Sequence, residues 1–245
     1  MIKAIFFDMD ETLCATEQAN QVALSFLAKQ LTEQWPKMNV DQFCARYLSG
    51  VYKQLNDEFP QLVPLLSDEM AFRCALIVVL FSEQGIVLSL DTAKEMQLAF
   101  DGVRMSAFDF YPALESLVKT LRKHVKVGVI TNGPTFSQLP KIDAIKLREK
   151  VDFVLVGGEE PEEKPALSIF EKALYLANCQ ANEAIHVGDS LRCDIGGAMM
   201  AGIDSVWVDS QRATDHQALD EGKFTPTWRV NHASQLPDIL LPLVS

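Results

Sequence analysis

The sequence is short of basic residues, of histidine and of paired cysteine, and it has no long apolar run. Its 22 Lys+Arg face 33 Asp+Glu, a formal net charge of −11. Nucleic-acid polymers and anionic membranes attract clustered Lys and Arg, so this balance argues against both as partners. The five cysteines (Cys14, Cys44, Cys74, Cys179 and Cys193) are odd in number, scattered and without a Cys-x-x-Cys pair. That argues against a secreted disulfide scaffold and a structural zinc site, and favours a reducing compartment. The longest fully apolar run, Cys74 to Phe81, falls far below the ~18 residues of a membrane span. The first apolar run is broken by Asp8 and Asp10, unlike a signal peptide. A soluble, cytoplasmic location is the expectation. None of the four histidines (His124, His186, His216, His232) stands at metal-ligand spacing from another. Gly-x-x-x-x-Gly-Lys-Ser/Thr, Gly-x-Gly-x-x-Gly after the first strand, and Gly-x-Ser-x-Gly are all missing, so ATPase, dinucleotide-binding and elbow-hydrolase readings lose support.

What is present has a clear order. A chain of 245 residues allows one large domain or two modest ones. Ile2 to Phe7 reads as a strand buried on both faces. From about residue 15 to about residue 100 the texture is helical. Ala23, Leu27 and Leu31 recur at helical spacing, as do Val22 and Phe26. Ser67 to Phe81 and Asp91 to Phe100 read as further helices. After Tyr111-Pro112, strands and helices alternate. Strands are expected at Val125 to Ile130, Val151 to Val156, Ala184 to Val187 and Ser205 to Val208. Helices are expected from about Thr135 to Lys150, from Pro165 onward with proline at the first position, and from about Asp194 to Ala201. The pattern predicts an α/β fold, with a doubly wound parallel sheet and an all-helical insert. The expected core is 1–14 with 98–245, and the insert 15–97.

Ligands of such sheets bind beyond the carboxyl ends of the strands. Asp8 and Asp10 follow the first strand, Thr131 and Asn132 the second, Lys164 precedes the helix after the third, and Asp189 and Asp194 follow the fourth. A lone Asp there is usually a turn or cap residue; the joint order of the set raises it above coincidence. These groups suit phosphoryl transfer. Asp8 and Asp10 alternate in direction on an extended segment, so one can be a nucleophile and the other an acid or base. Like charges at ~4 Å and an effective dielectric of ~20 cost about 4 kcal/mol per pair, so a cation is needed. Mg²⁺ held by Asp8 and Asp189 fits the hard-oxygen donors, with Lys164 a second positive charge. Thr131 and the backbone N–H groups after it can cradle phosphate oxygens. His186 reads as a packed core histidine and Cys14 as a small buried hydrophobe. Arg46, Lys53, Arg73 and Arg104 are candidate substrate contacts in the insert, although helix charges are normally solvated.

On these residues the chain resembles the haloacid dehalogenase superfamily. Asp8-Met9-Asp10-Glu11-Thr12-Leu13 resembles its first motif, Thr131 its second, Lys164 its third, and Gly188-Asp189-Ser190 with Asp194 its fourth. The resemblance implies Asp8 as nucleophile and Asp10 as general acid/base. It implies Thr131, Asn132 and Lys164 on the phosphoryl group, and Mg²⁺ held by Asp8, Asp189 and the backbone carbonyl of Asp10. Asp194 would support the metal or Lys164. The dehalogenase branch lacks the second Asp, so Asp10 favours a phosphatase. The insert resembles the family's first-class helical cap. Glu11, where many relatives have Gly, and Thr131-Asn132-Gly133 with Gln138 resemble the branch of N-acylneuraminate-9-phosphatases and pyrimidine 5′-nucleotidases. Ala15, where relatives often carry Asp, departs from the pattern at the start of the insert. A Mg²⁺-dependent phosphatase of a small sugar phosphate or nucleotide is therefore expected. A phosphomutase on the same scaffold and a receiver-like signalling module are the alternatives.

Overall fold

Six parallel strands form one sheet in the order β3-β2-β1-β4-β5-β6. The computed structural model describes residues 1–52, 54–209, 219 and 221–244. Lys53 and His216, singled out above, lie outside the described residues. The strands are β1 (Ala4–Phe7), β2 (Lys126–Thr131), β3 (Phe153–Val156), β4 (Ala184–Gly188), β5 (Asp204–Val208) and β6 (Trp228–Val230). The chain builds outward from β1 to β3, then returns to add β4 to β6 on the other side of β1. The reversal between β1 and β4 is the position at which such sheets bind ligands. Phe7 pairs in register with Val129 of β2 and with Val187 of β4. Asp8, Thr131 and Asp189 therefore emerge at the same end of the sheet.

The helices of this unit are α5 (Leu114–Leu121), α6 (Thr135–Ala144), α7 (Leu147–Lys150), α8 (Leu167–Ala177), α9 (Gly197–Met200) and α10 (Leu236–Val244). Strand β1 is buried throughout. Alternation sends Ala4 and Phe6 to one face, where they join Ile130, Leu155, Ile169, Phe170 and Ala173. Each fully buried Phe side chain contributes roughly 1.5–3 kcal/mol of transfer free energy.

The chain divides into two compact units, Met1–Glu17 with Phe108–Ser245, and Gln18–Ala107. The second contains α2 (Val40–Val51), α3 (Glu69–Ser82), α4 (Leu90–Ala107) and most of α1 (Thr16–Gln34), with no strand among its described residues. Asp68 caps α3, its side chain accepting from the Ala71 N–H. Ala23, Leu27 and Leu31 of α1 pack with Phe43, Tyr47, Phe72, Leu76, Phe81 and Phe100. Val22 is exposed, so the second stripe of α1 is not core.

Several boundaries differ from the sequence reading. Helix α4 runs on to Ala107 instead of stopping near Phe100, so the units divide at 107/108 and not at 97/98. The single helix expected over 135–150 is two, because Lys146 adopts a left-handed φ of 51°. The helix expected to open on Pro165 begins at Leu167. The physical reason is a long-range contact: the Asn132 side chain ties the Lys164 backbone into a loop before the helix can start. The segment after Ser190 is a wide turn over Leu191–Gly196 before α9 begins. Strand β6 and helix α10 were not expected. β6 has three residues, too few to show a period, and Pro237 and Pro242 obscure α10.

Candidate active site

The end of β1 passes directly into a tight turn. The Asp8 N–H still bonds Val187 O at 2.8 Å, after which Leu13 and Cys14 N–H both return to Met9 O. Glu11 sits at the reversal with a left-handed φ of 57°. Glycine takes this conformation without cost, whereas glutamate is strained there. The Glu11 carboxylate is gripped from both sides, by Glu17 N–H at 2.6 Å and by the Tyr111 hydroxyl at 2.6 Å. Burial, then the Glu11 hydrogen bond and charge, push the Tyr111 phenol above its ordinary range, so it remains a donor.

Asp8 and Asp10 leave this turn toward different cations. Lys164 Nζ donates to Asp8 at 2.6 Å, to Asp194 at 2.7 Å and to Ile130 O at 2.6 Å. Lys164 is buried. Burial alone would depress its ammonium, but Asp194 and Asp8 outweigh that and hold it charged. Asn132 positions this lysine. Its amide donates to Lys164 O at 2.7 Å and its carbonyl accepts from Lys164 N–H at 2.9 Å. Asp10 instead receives Lys141 Nζ on both oxygens, at 2.8 and 2.9 Å, together with the Thr16 hydroxyl. Burial favours the neutral acid at Asp10, yet Lys141, Thr16 and Gln138 together lower its pKa below the usual carboxylate value.

The fourth strand supplies Asp189 and Asp194. Gly188 is required here, because a Cβ would lie 2.1 Å from Asp194 Cγ. Asp194 accepts from Lys164, from His186 Nε2 at 2.9 Å and from Ser190 N–H at 3.0 Å. Despite burial, Lys164 and His186 drive its carboxyl far below the ordinary range. A carboxylate can only accept, so Nε2 of His186 carries the proton. Trp207 Nε1 donates to Asp189 O at 3.0 Å and fixes that turn.

Asp8, Asp189 and Asp194 offer oxygens all within 4.8 Å of one another, and all three residues are buried. Burial, then Asp194, Asp189 and Asp10, push the Asp8 carboxyl well above the usual range in spite of Lys164. Among the described residues, the Lys164 ammonium bonds two of these three carboxylates, Asp8 and Asp194. An all-oxygen, carboxylate-rich donor set suits Mg²⁺ or another hard divalent cation. Asp194 is already engaged by three donors, which suits a supporting position beside such an ion. Close by in the fold, Thr131 Oγ1 is buried with no hydrogen-bond partner, as is Thr12 Oγ1. Buried hydroxyls without partners are rare, and these two belong to the end of β2 and to the turn that follows β1.

The structure thus brings Asp8, Lys164, Asp189 and Asp194 into one cluster, with Thr131 and Asn132 at its edge. The Asp10 side chain stands apart with Lys141. Sequence reasoning missed Lys141, Trp207 and the bond from His186. The one available signal for Lys141 was its spacing of three from Gln138 on α6, which puts both on one helix face. In the helical insert, Arg46 pairs with Glu58 and Glu83, Arg73 with Glu69 and Asp101, and Arg104 donates to Asn20.

The family model described as "Haloacid dehalogenase-like hydrolase" matches residues 5–208. The chain is 26% identical to the human N-acylneuraminate-9-phosphatase over 244 residues, covering 98% of this chain and 94% of that one. It is 32% identical to pyrimidine 5′-nucleotidase YjjG of Escherichia coli over 130 residues, 53% of this chain and 56% of that one. The HAD-hydrolase YfnB of Bacillus subtilis, solved bound to magnesium, shares the fold with a TM-score of 0.68. Its identity is 19%, with 98% of each chain covered. The chain is an enzyme of the haloacid dehalogenase-like hydrolase family.

Proposed function

We propose that this enzyme is a Mg²⁺-dependent phosphatase of a small phosphomonoester, a sugar phosphate or a nucleotide, acting through an aspartyl-phosphate on Asp8. The observation that carries the reading is a buried cluster of carboxylates: three acids offer oxygens within 4.8 Å of one another, and Lys164 bonds two of them. Relatives along nearly the whole chain are named as phosphatases of small substrates, which supports the reaction class. The magnesium in the YfnB structure supports the cation. Asp8, Asp189 and the Asp10 backbone carbonyl would hold Mg²⁺, with Asp194 in support. When bound, the ion would offset the charge that develops on the phosphoryl oxygens.

Asp8 supplies the nucleophilic oxygen. Lys164 keeps Asp8 oriented and adds positive charge where the phosphoryl oxygens come to lie. Thr131 donates its hydroxyl to the phosphoryl group, and Asn132 contributes through its backbone N–H while its side chain holds Lys164. Asp10 gives a proton to the leaving oxygen and then takes one from the water that attacks the phosphorus. The helical insert, 18–107, is assigned the selection of the leaving group by its resemblance to first-class caps. The five free thiols suit a reducing, cytoplasmic location.

The test is phosphate release from sugar phosphates, nucleotides and an aryl phosphate, with Mg²⁺, with a chelator, and with Asp8→Asn. Turnover that the chelator removes and that falls by at least about 10³-fold in Asp8→Asn is the expected result. Isomerised sugar phosphate without free phosphate would make the enzyme a mutase. A stable phospho-Asp8 with negligible turnover would make it a phosphate-responsive switch.

A further inference from the structure

Helix α6 turns three residues inward: Gln138, Lys141 and Ile142. Ile142 is there for packing. Gln138 donates its amide to Asn132 O at 2.8 Å and so ties the helix to the turn after β2. Lys141 has no comparable reason to be inward. It is only 4% exposed, and a buried ammonium is costly unless a counter-charge meets it. A methionine would fill the same space. Its ammonium lies 6.0 Å from the centre of the Phe108 ring and bonds both oxygens of Asp10. Thr16 donates to the same carboxylate. Asp10 is therefore held at two oxygens by a buried cation that is separate from Lys164.

We propose that Lys141 is the positioning residue of Asp10, fixing its carboxylate where proton transfer to the leaving oxygen and from the attacking water takes place. This rests on the phosphatase reading and deepens it. Asp10 takes up a proton from solvent beforehand. In the first step the Asp8 oxygen bonds to phosphorus, the ester P–O bond breaks, and the leaving oxygen takes that proton from Asp10. In the second a water oxygen bonds to phosphorus, the P–O bond to Asp8 breaks, and the water's proton passes to Asp10. Lys141 exchanges no proton in either step. It sets the direction of one carboxylate that must serve two oxygens in turn.

Misplacing a catalytic group by about 1 Å can cost on the order of 10²-fold in rate. Lys141→Met should therefore lower kcat by about 100-fold with KM held within about threefold. Lys141→Arg should restore most of the rate, since it returns a donor pair to Asp10. Crystal structures of both variants give a readout that needs no turnover. The Asp10 carboxylate should leave its place in the Met variant and keep it in the Arg variant. An unmoved Asp10 in Lys141→Met overturns the proposal, as does an unchanged kcat, a rise confined to KM, or equal loss in the Met and Arg variants. If the wild type releases no phosphate from any substrate while Asp10 still moves in Lys141→Met, the positioning stands and the phosphatase reading falls.

Discussion

The two units bury polar groups in opposite ways. In the helical unit, the Tyr47 hydroxyl donates to Gln97 at 2.5 Å, Gln97 donates to Asp101 at 2.8 Å, and Arg73 bridges Asp101 at 3.2 Å and Glu69 at 2.6 Å. The chain of bonds starts at a fully buried phenol and ends at Asp101, whose side chain is 33% exposed. Each charge in it either has a partner or reaches water. In the sheet unit, Asp8, Asp189 and Asp194 are all buried close together, and Lys164 bonds the first and the last. Among the described residues, every buried side-chain polar atom without a partner belongs to this unit: Thr12 Oγ1, Thr131 Oγ1, Gln138 Oε1 and His186 Nδ1. A satisfied network helps to specify a unique core, whereas each buried polar group left without a partner carries a desolvation cost.

Removing the cation at the centre of the sheet unit should give the largest effect. Lys164→Met would leave Asp8 and Asp194 facing each other, both buried. Taking one partner from a buried pair costs roughly 3–5 kcal/mol. Urea unfolding should show that loss, and phosphate release should fall by at least about 10²-fold with it. An unchanged midpoint would mean that the carboxylate cluster is neutralised some other way and that the contrast between the units is false.

A smaller effect is expected from the helical unit. Tyr47→Phe keeps the ring packed against Phe100 at 5.2 Å between centroids but removes the donor to Gln97. A buried acceptor left unmet costs about 1–3 kcal/mol. The unfolding free energy from urea titration should drop by that amount while phosphate release per folded molecule stays within about twofold. A loss of turnover without a loss of stability would turn this network from scaffold into machinery.

How much of this was visible in the sequence differs along the same divide. The sheet and most of its site were legible because each strand is a short apolar run stopped by a chemically distinctive residue. Asp8, Thr131 and Asp189 need only their place at a strand end to be found. Lys164 is legible by chain order, although its loop and the later start of α8 are not, because they depend on Asn132, more than thirty residues away in sequence. Lys141 was hidden because a lysine on a polar helix reads as solvated, and only the long-range contact to Asp10 reverses that. The helical unit was legible as helices, but Arg73 and Gln97 carry no sequence mark of burial. The end of α4 was missed because Gly102, a residue type common just past helix ends, here lies inside the helix.

The smallest effect separates a satisfied nitrogen from an unsatisfied one within a single side chain. His186 was read as a packed core histidine, and it does pack edge-on to Phe170 at 5.1 Å. Yet Nε2 is bonded to Asp194 while Nδ1 is buried without a partner. Burial lowers its pKa below the ordinary value, more than the Asp194 contact raises it. The folded chain therefore resists protonating His186 at pH values where the unfolded chain, at about 6.5, already binds that proton. Stability from this group is complete above about pH 6.5 and falls as pH drops from there toward the folded pKa. His186→Gln keeps a donor for Asp194 and removes the titration. Urea unfolding at about pH 7.5 and 5.5 should show the wild type losing more stability than the variant, by at most about 1.4 kcal/mol for each pH unit. The comparison between the two proteins cancels the opposing contribution of Asp8, whose raised pKa favours the folded state as pH falls. Parallel losses would assign the acid sensitivity to other groups and leave His186 a packing residue with one incidental bond.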